Sequence, residues 1–220
     1  MNKDATAAQA EFDKAAEEII RKADCAGHQL ACRMGCAACC YSLVSLMPQE
    51  AFALARHIQA LPDEERGVIR ALVLEHAAVH GSKDGETRIR EHIRCPCLHP
   101  VTRECRIYDA RPLTCRGMNS IDAKPCNLAL EDRDAFVPVP TLQAMHQEVQ
   151  ARFDALAEKA EEEGGTTDSV ELSQALAAIW RLPDAEARWH AGEDIFADCR
   201  IRDIERSIPR FVPRPRDLSD

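Results

Sequence analysis

Cys32-Arg-Met-Gly-Cys36-Ala-Ala-Cys39-Cys40 places four thiols within nine residues. A second field, Cys95, Cys97, Cys105, Cys115 and Cys126, lies well downstream, so nine of the eleven cysteines fall in two groups that a fold could bring together. Four close thiolates repel one another unless a cation sits among them. Cys36-Ala-Ala-Cys39 has the spacing of a metal knuckle, in which a turn sets both sulfurs on one side and small residues leave backbone N–H groups free to point at them. Cys39 and Cys40 pull the other way. Neighbouring side chains diverge, and two consecutive sulfurs reach one tetrahedral ion only with difficulty. That pairing favours two ions, or a cluster with bridging thiolates.

What holds this much sulfur depends on the compartment. Structural disulfides require an oxidising location, usually reached through a signal peptide with an apolar run of roughly 7 to 15 residues. The first residues, Met-Asn-Lys-Asp-Ala-Thr-Ala-Ala-Gln-Ala-Glu-Phe-Asp, carry no such run, and no stretch approaches the roughly 18 apolar residues of a membrane span. The chain is therefore expected to be cytoplasmic, without membrane contact, where clustered cysteines serve as metal ligands or redox groups. The odd count also fits a fully paired disulfide framework poorly.

The second field reads Cys95-Pro-Cys97-Leu98, then Cys105-Arg-Ile-Tyr108-Asp-Ala-Arg111-Pro112-Leu-Thr-Cys115-Arg116, then Cys126 after Lys124-Pro125. A divalent ion held by four thiolates carries a net charge of about −2. Arg33, Arg106, Arg111, Arg116 and Lys124 are near enough in sequence to offset it. Cations that lower a thiol pKa serve a reactive cysteine equally well, so these residues do not separate ligation from redox chemistry. Pro96, Pro112 and Pro125 argue against continuous helix through this region.

These motifs together resemble a known family. A Cys-x-x-x-Cys-x-x-Cys-Cys run followed by Cys-Pro-x-Leu, by Cys-x-Ile-Tyr-x-x-Arg-Pro-x-x-Cys-Arg and by one more cysteine is similar to the cysteine-cluster family of the CxxCxxCC type, described as zinc- or iron-chelating domains. The resemblance covers about residues 28 to 130. It places the family's eight cysteines on Cys32, Cys36, Cys39, Cys40, Cys95, Cys105, Cys115 and Cys126, and it implies that they hold the metal. Cys97 departs from the pattern, standing where the family usually has an apolar residue, and is either an extra ligand or a spare thiol. Flagellin lysine methylases are similar around this module. That likeness implies an alternative function, S-adenosylmethionine-dependent protein lysine N-methylation.

Composition narrows the remaining classes. At 220 residues the chain can bury a sizeable core, with 45% apolar and 30% charged residues in the ordinary range for a globular protein. A formal charge of −9 argues against a nucleic-acid surface, because binding phosphates needs excess Lys and Arg. A metal ion is the expected partner. A protein partner stays open, and so does the oligomeric state.

Periodicity predicts helices around the cysteine fields. Ala8, Phe12, Ala15, Ala16 and Ile19 mark an amphipathic helix from Ala5 to about Cys25. Pro48 and Glu50 suit the start of a helix with Phe52, Leu54, Ala55, Ile58 and Leu61 inward. Another starts at Pro62, carries Val68, Ile69, Leu72, Val73 and Val79, and stops at Gly81. Residues 81 to 94 read as a loop or frayed helix leading to Cys95. A long helix is expected from Thr141 to Glu163, ended by Gly164-Gly165. Asp168-Ser-Val-Glu171 reads as a capping box opening a helix with Leu172, Leu176 and Ile179 inward. Pro183-Asp184 starts a short one through Trp189. Asp132 to Pro140 and the arginine- and proline-rich tail read as extended.

The fold class is thus mainly α, with helices packed around an irregular cysteine-rich metal-binding core. Residues 1–130 are expected to form the N-terminal helix plus cysteine module, and residues 131–220 a helical extension packed on it, with an extended tail from about 207. Cys25 and Cys199 read as lone thiols, and His28, His57, His76 and His80 as packed or solvated. His99 is the histidine best placed to replace a thiol. Zinc, iron and an iron–sulfur cluster all accept four thiolates, so ligand type does not choose among them. The function expected is metal binding with no defined reaction. No glycine-rich phosphate loop or P-loop supports the methylase alternative. Catalytic and organic-cofactor residues are unknown at this level. Thiol–disulfide exchange at Cys36-Ala-Ala-Cys39 would want a βαβ context that the helical flanks do not provide.

Overall fold

The first amphipathic pattern forms helix α1, Asp4–Cys25, burying Phe12 and Ala16. In this computed structural model residues 4–132 and 138–201 are described. Most of the Asp132 to Pro140 segment and the tail with its Ile208 and Phe211 lie outside them.

Two helices follow the first cysteine run: α2, Pro48–Ala60, and α3, Asp63–His80. Pro48 occupies the first turn of α2 as its fixed φ and missing N–H suit. Pro62, by contrast, is the N-cap of α3 rather than a first-turn residue, at φ −52 and ψ 147. The polar segment after Gly81 contains a single short helix, α4, Gly85–Arg90, capped by the Asp84 carboxylate on the Thr87 N–H.

Prolines break the second field into short elements. α5, Leu113–Gly117, begins after Pro112, and α6, Ala123–Glu131, holds Pro125 within its first turn, where no intrahelical bond is lost. α7, Gln143–Glu162, is the long predicted helix, and it lies against α1 and α5. Phe12, Ala16, Met47, Leu113, Met145 and Leu156 close the small core between them.

The opening of the next helix differs from its expectation. The helix α8 is Leu172–Arg181, and its N-cap is Glu171, whose carboxylate accepts from the Gln174 N–H. Asp168 is not the cap; its carboxylate pairs with Arg200 at 2.6 Å. The reason is a pairing between distant segments. Strand β1, Ser45–Leu46, lies antiparallel to β2, Val170–Glu171, with Ser45 opposite Glu171 and Leu46 opposite Val170. Extended backbone at Val170 and Glu171 postpones the helix by one turn. The last helix, α9, is Ala185–His190.

The main core gathers Leu46, Phe52, Ile58, Val73, Leu176, Trp189 and Phe196. α8 packs on both α2 and α3. Cys97 belongs to this core, with Cys95, Cys105 and Cys115 packed against it. The body is therefore mainly α, and its apolar centre reaches the second cysteine field.

Candidate metal centre

The first run folds as two tight turns. Arg33 to Cys36 closes with the Cys36 N–H on the Arg33 carbonyl at 2.9 Å. Gly35 there has φ +80, the left-handed conformation that a turn of this kind asks of its third residue. A 3₁₀ turn, Ala38–Tyr41, carries Cys39 and Cys40. The Cys39 thiol hydrogen-bonds to the Cys40 sulfur, and this contact, more than burial, pushes Cys39 well above the ordinary thiol range.

The second field is a small hairpin followed by α5 and α6. Leu98 and Cys105 face each other as an antiparallel bridge, and the Arg106 N–H donates to the Cys97 carbonyl at 2.8 Å. His99, the proposed substitute ligand, accepts the N–H groups of Val101 and Thr102 at its Nδ1 (3.2 and 3.1 Å) and so fixes the hairpin tip.

Backbone bonds join the two fields. Cys95 donates its N–H to the Cys40 carbonyl at 2.7 Å, and Ala31 donates to the Ser120 carbonyl at 2.8 Å. α6, with Cys126, packs against the 3₁₀ turn that bears Cys39 and Cys40. Thiols from both ends of the module consequently act on one another. Cys126 is raised by burial, opposed by a hydrogen bond from Ser120, and raised further by Cys32, Cys36 and Cys39. Burial likewise raises Cys32, against the Ser120 backbone N–H and with Cys36 and Cys39 beside it. Cys115 is raised well above its ordinary value, by burial first and then by Cys95, Cys39 and Cys105. Cys105 is pushed up to about 11, chiefly by burial.

Cys95 and Cys97 form a directed pair. The Cys97 thiol, 0% exposed, donates to the Cys95 sulfur. That bond holds the proton on Cys97 and lowers Cys95. Cys25 is an exposed thiol at the end of α1. Cys199 is buried in the same core as Cys97, raised to about 12 by desolvation with Glu171 and Asp198 near. All eleven cysteines are free thiols.

The neighbouring cations divide in their duties. Arg111 lowers Cys39, Cys105 and Cys115, and its guanidinium stands 3.8 Å over the Tyr108 ring. Arg116 is committed to Asp13 at 2.6 Å and to the Arg111 carbonyl at 2.7 Å. Arg106 Nε, one residue after Cys105, is buried without a hydrogen-bond partner among the described residues.

Three contributors escaped the sequence. Ser120 touches both Cys32 and Cys126, yet a serine between cysteines carries no spacing signal. His92, at φ 52, packs its ring on Tyr41 with centroids 5.5 Å apart, next to Cys40. Glu50 reads as a helix-terminal acid but is 1% exposed, and its carboxylate accepts the Leu113 N–H at 2.7 Å and the Met47 N–H at 3.0 Å. It thereby ties the start of α5, and Cys115 with it, to α2.

The donor chemistry fits a soft or borderline cation, because thiolates select zinc and iron over calcium and magnesium. Among the described residues no group of three or more His, Cys, Asp or Glu side chains is already disposed to hold an ion. The sulfurs are neighbours rather than a preset tetrahedron.

Fold and site together define a mainly helical protein built on a two-part cysteine cluster. Residues 31–136, just under half of the chain, match the model of the CxxCxxCC family, described as "Putative zinc- or iron-chelating domain". All nine clustered cysteines fall inside it. No curated protein and no solved structure matches the chain. No helix among the described residues is long and apolar enough to cross a membrane.

Proposed function

We propose that this protein is a metal-chelating protein that holds zinc or iron through Cys32, Cys36, Cys39, Cys40, Cys95, Cys105, Cys115 and Cys126. The observation that carries this is the convergence of two cysteine fields more than fifty residues apart in sequence, sealed by the bond from the Cys95 N–H to the Cys40 carbonyl. Eight thiols gathered without disulfides make sense in a reducing, cytoplasmic setting where a cation offsets their charge. Cys97 serves as hydrogen-bond donor to Cys95 rather than as a ligand. Such a donor steadies a metal-bound thiolate and tunes its basicity. Bound metal would contribute directly to folding, because the ligands come from segments that only the folded chain unites.

Elemental analysis of anaerobically purified protein, with an absorption spectrum, tests this reading. Zinc gives stoichiometric metal and no visible band; iron, alone or as an iron–sulfur cluster, gives colour. Cys36→Ser is expected to lose metal and melt earlier. Unchanged metal content and melting in that variant would remove the ligand assignment.

A further inference from the structure

The eight thiols differ in shelter. Cys95, Cys105 and Cys115 pack against the main apolar core, with Cys97 inside it. Cys32 and Cys36 are exposed, and Cys126 is partly so on α6. None of these three is among the described residues that form or pack on that core. Ser120, between Cys32 and Cys126, marks the outer group as one neighbourhood, while the Leu98 to Cys105 bridge and the turn at Cys95 mark the inner one.

Cys39 and Cys40 stand at the seam. Consecutive side chains leave a 3₁₀ turn about 120° apart, and Ala38–Tyr41 is such a turn. Cys40 is backbone-bonded to Cys95 on the inner side, and its turn packs against α6 on the outer side. The two sulfurs touch, and Cys39 acts on Cys105 and Cys115 on one side and on Cys32 and Cys126 on the other.

Resting on the metal-binding reading above, we propose that the field is two sites of unequal accessibility. Cys95, Cys105 and Cys115 form a retained inner site, Cys32, Cys36 and Cys126 form an exchangeable outer site, and the Cys39-Cys40 pair gives one thiol to each. The outer site then takes up and releases a soft divalent cation by ligand exchange with small chelators or thiols. The inner ion is structural, because losing it would expose core. Apolar surroundings restrict solvent access to such a site.

The test uses the full chain loaded anaerobically with Zn(II) and challenged with a chromogenic chelator. Four thiolates per tetrahedral ion predict about two equivalents bound. Release is expected in two phases of equal amplitude, with rates differing by about tenfold or more. Cys126→Ser, like Cys36→Ser, is expected to abolish the fast phase and one equivalent and to melt earlier, while keeping the slow phase. Cobalt substitution gives a second readout. Cys126→Ser should halve the thiolate-to-cobalt charge-transfer band without changing its position. Metal that leaves in a single phase, or a Cys126→Ser variant that loses both equivalents together, overturns the partition while leaving metal binding intact. A chain that holds no metal at all overturns the metal-binding reading itself.

Discussion

The backbone N–H of Cys95 donates to the carbonyl of Cys40 at 2.7 Å, so the last residue of the first cysteine field is bonded directly to the first residue of the second. A loop of this length costs conformational entropy to close, and closure needs something to hold the ends. One hydrogen bond contributes only about 0.5–1.5 kcal/mol net. Metal at the junction is expected to supply the remainder. Amide exchange measured with and without a chelator checks this. The Cys95 and Ala31 amides should lose protection on metal removal, whereas core amides of α3 and α8 keep most of theirs. Equal protection at Cys95 in the two states would mean that the junction stands without metal.

Glu50 is expected to matter more for stability than its place near a helix start suggests. Its carboxylate is fully buried, and burial raises its pKa against the pull of the Leu113 and Met47 N–H groups, of Gln9 and of Arg116. Glu50→Ala leaves two buried N–H donors unmatched, for an expected loss of about 2–3 kcal/mol. Exposed Glu75→Ala, in the middle of α3, should stay within about 0.5 kcal/mol. Urea unfolding of both variants decides the matter, and similar losses would show that Glu50 anchors nothing.

Gly117 ends α5 where that helix meets α7. A Cβ there would lie 2.3 Å from Val149 Cγ2, closer than any ordinary contact, so Gly117→Ala must displace the Val149 side chain or the helix that carries it. Overpacking of this kind costs about 1–3 kcal/mol. Val149→Ala removes the obstructing atom, and the double variant should therefore lose less than the sum of the two single losses. Strict additivity in thermal unfolding would place the strain elsewhere.

Much of this architecture is legible in the chain itself, for physical reasons that also explain the gaps. α1, α2, α3 and α7 announce themselves because each buries one face, and a buried face repeats at helical spacing. The two cysteine fields are equally plain, since nothing else concentrates sulfur so tightly. The pairing of Ser45–Leu46 with Val170–Glu171 is not legible, because two residues are too few to show an alternation. That omission displaced the start of α8 and made Asp168 look like a cap. The roles of Arg111 and Arg116 were equally hidden. Both sit beside cysteines in sequence, yet Arg111 acts on the thiols while Arg116 binds Asp13 and backbone carbonyls. Sequence proximity sets which groups are available, and the turn at Pro112 sets which way they face.

The last prediction concerns a buried chain of polar groups away from sulfur. Arg88 and Glu171, 3% and 4% exposed at their side chains, pair at 2.9 Å. Ser173 donates its hydroxyl to Glu171 Oε2 at 2.6 Å, and His76 Nδ1 stands 2.9 Å from the Ser173 oxygen. With that hydroxyl proton committed to Glu171, His76 must donate from Nδ1. Desolvation, opposed by Glu171 and reinforced by Arg88 and His80, lowers the His76 pKa from 6.5 to about 4. Between those values the unfolded chain binds a proton that the folded chain refuses. Stability is therefore fully present above pH 6.5 and falls as the pH drops toward 4. The loss amounts to about 3 kcal/mol, and nearer 2 after solvent screening. His76→Asn keeps a donor for Ser173 but cannot titrate, so its stability should fall less than that of the unaltered chain across the same interval. Protonation of the cysteines affects both proteins alike and cancels in the difference. Parallel stability curves from pH 7 to pH 4 would show that His76 titrates normally and that the chain from Arg88 to His76 is not closed to water.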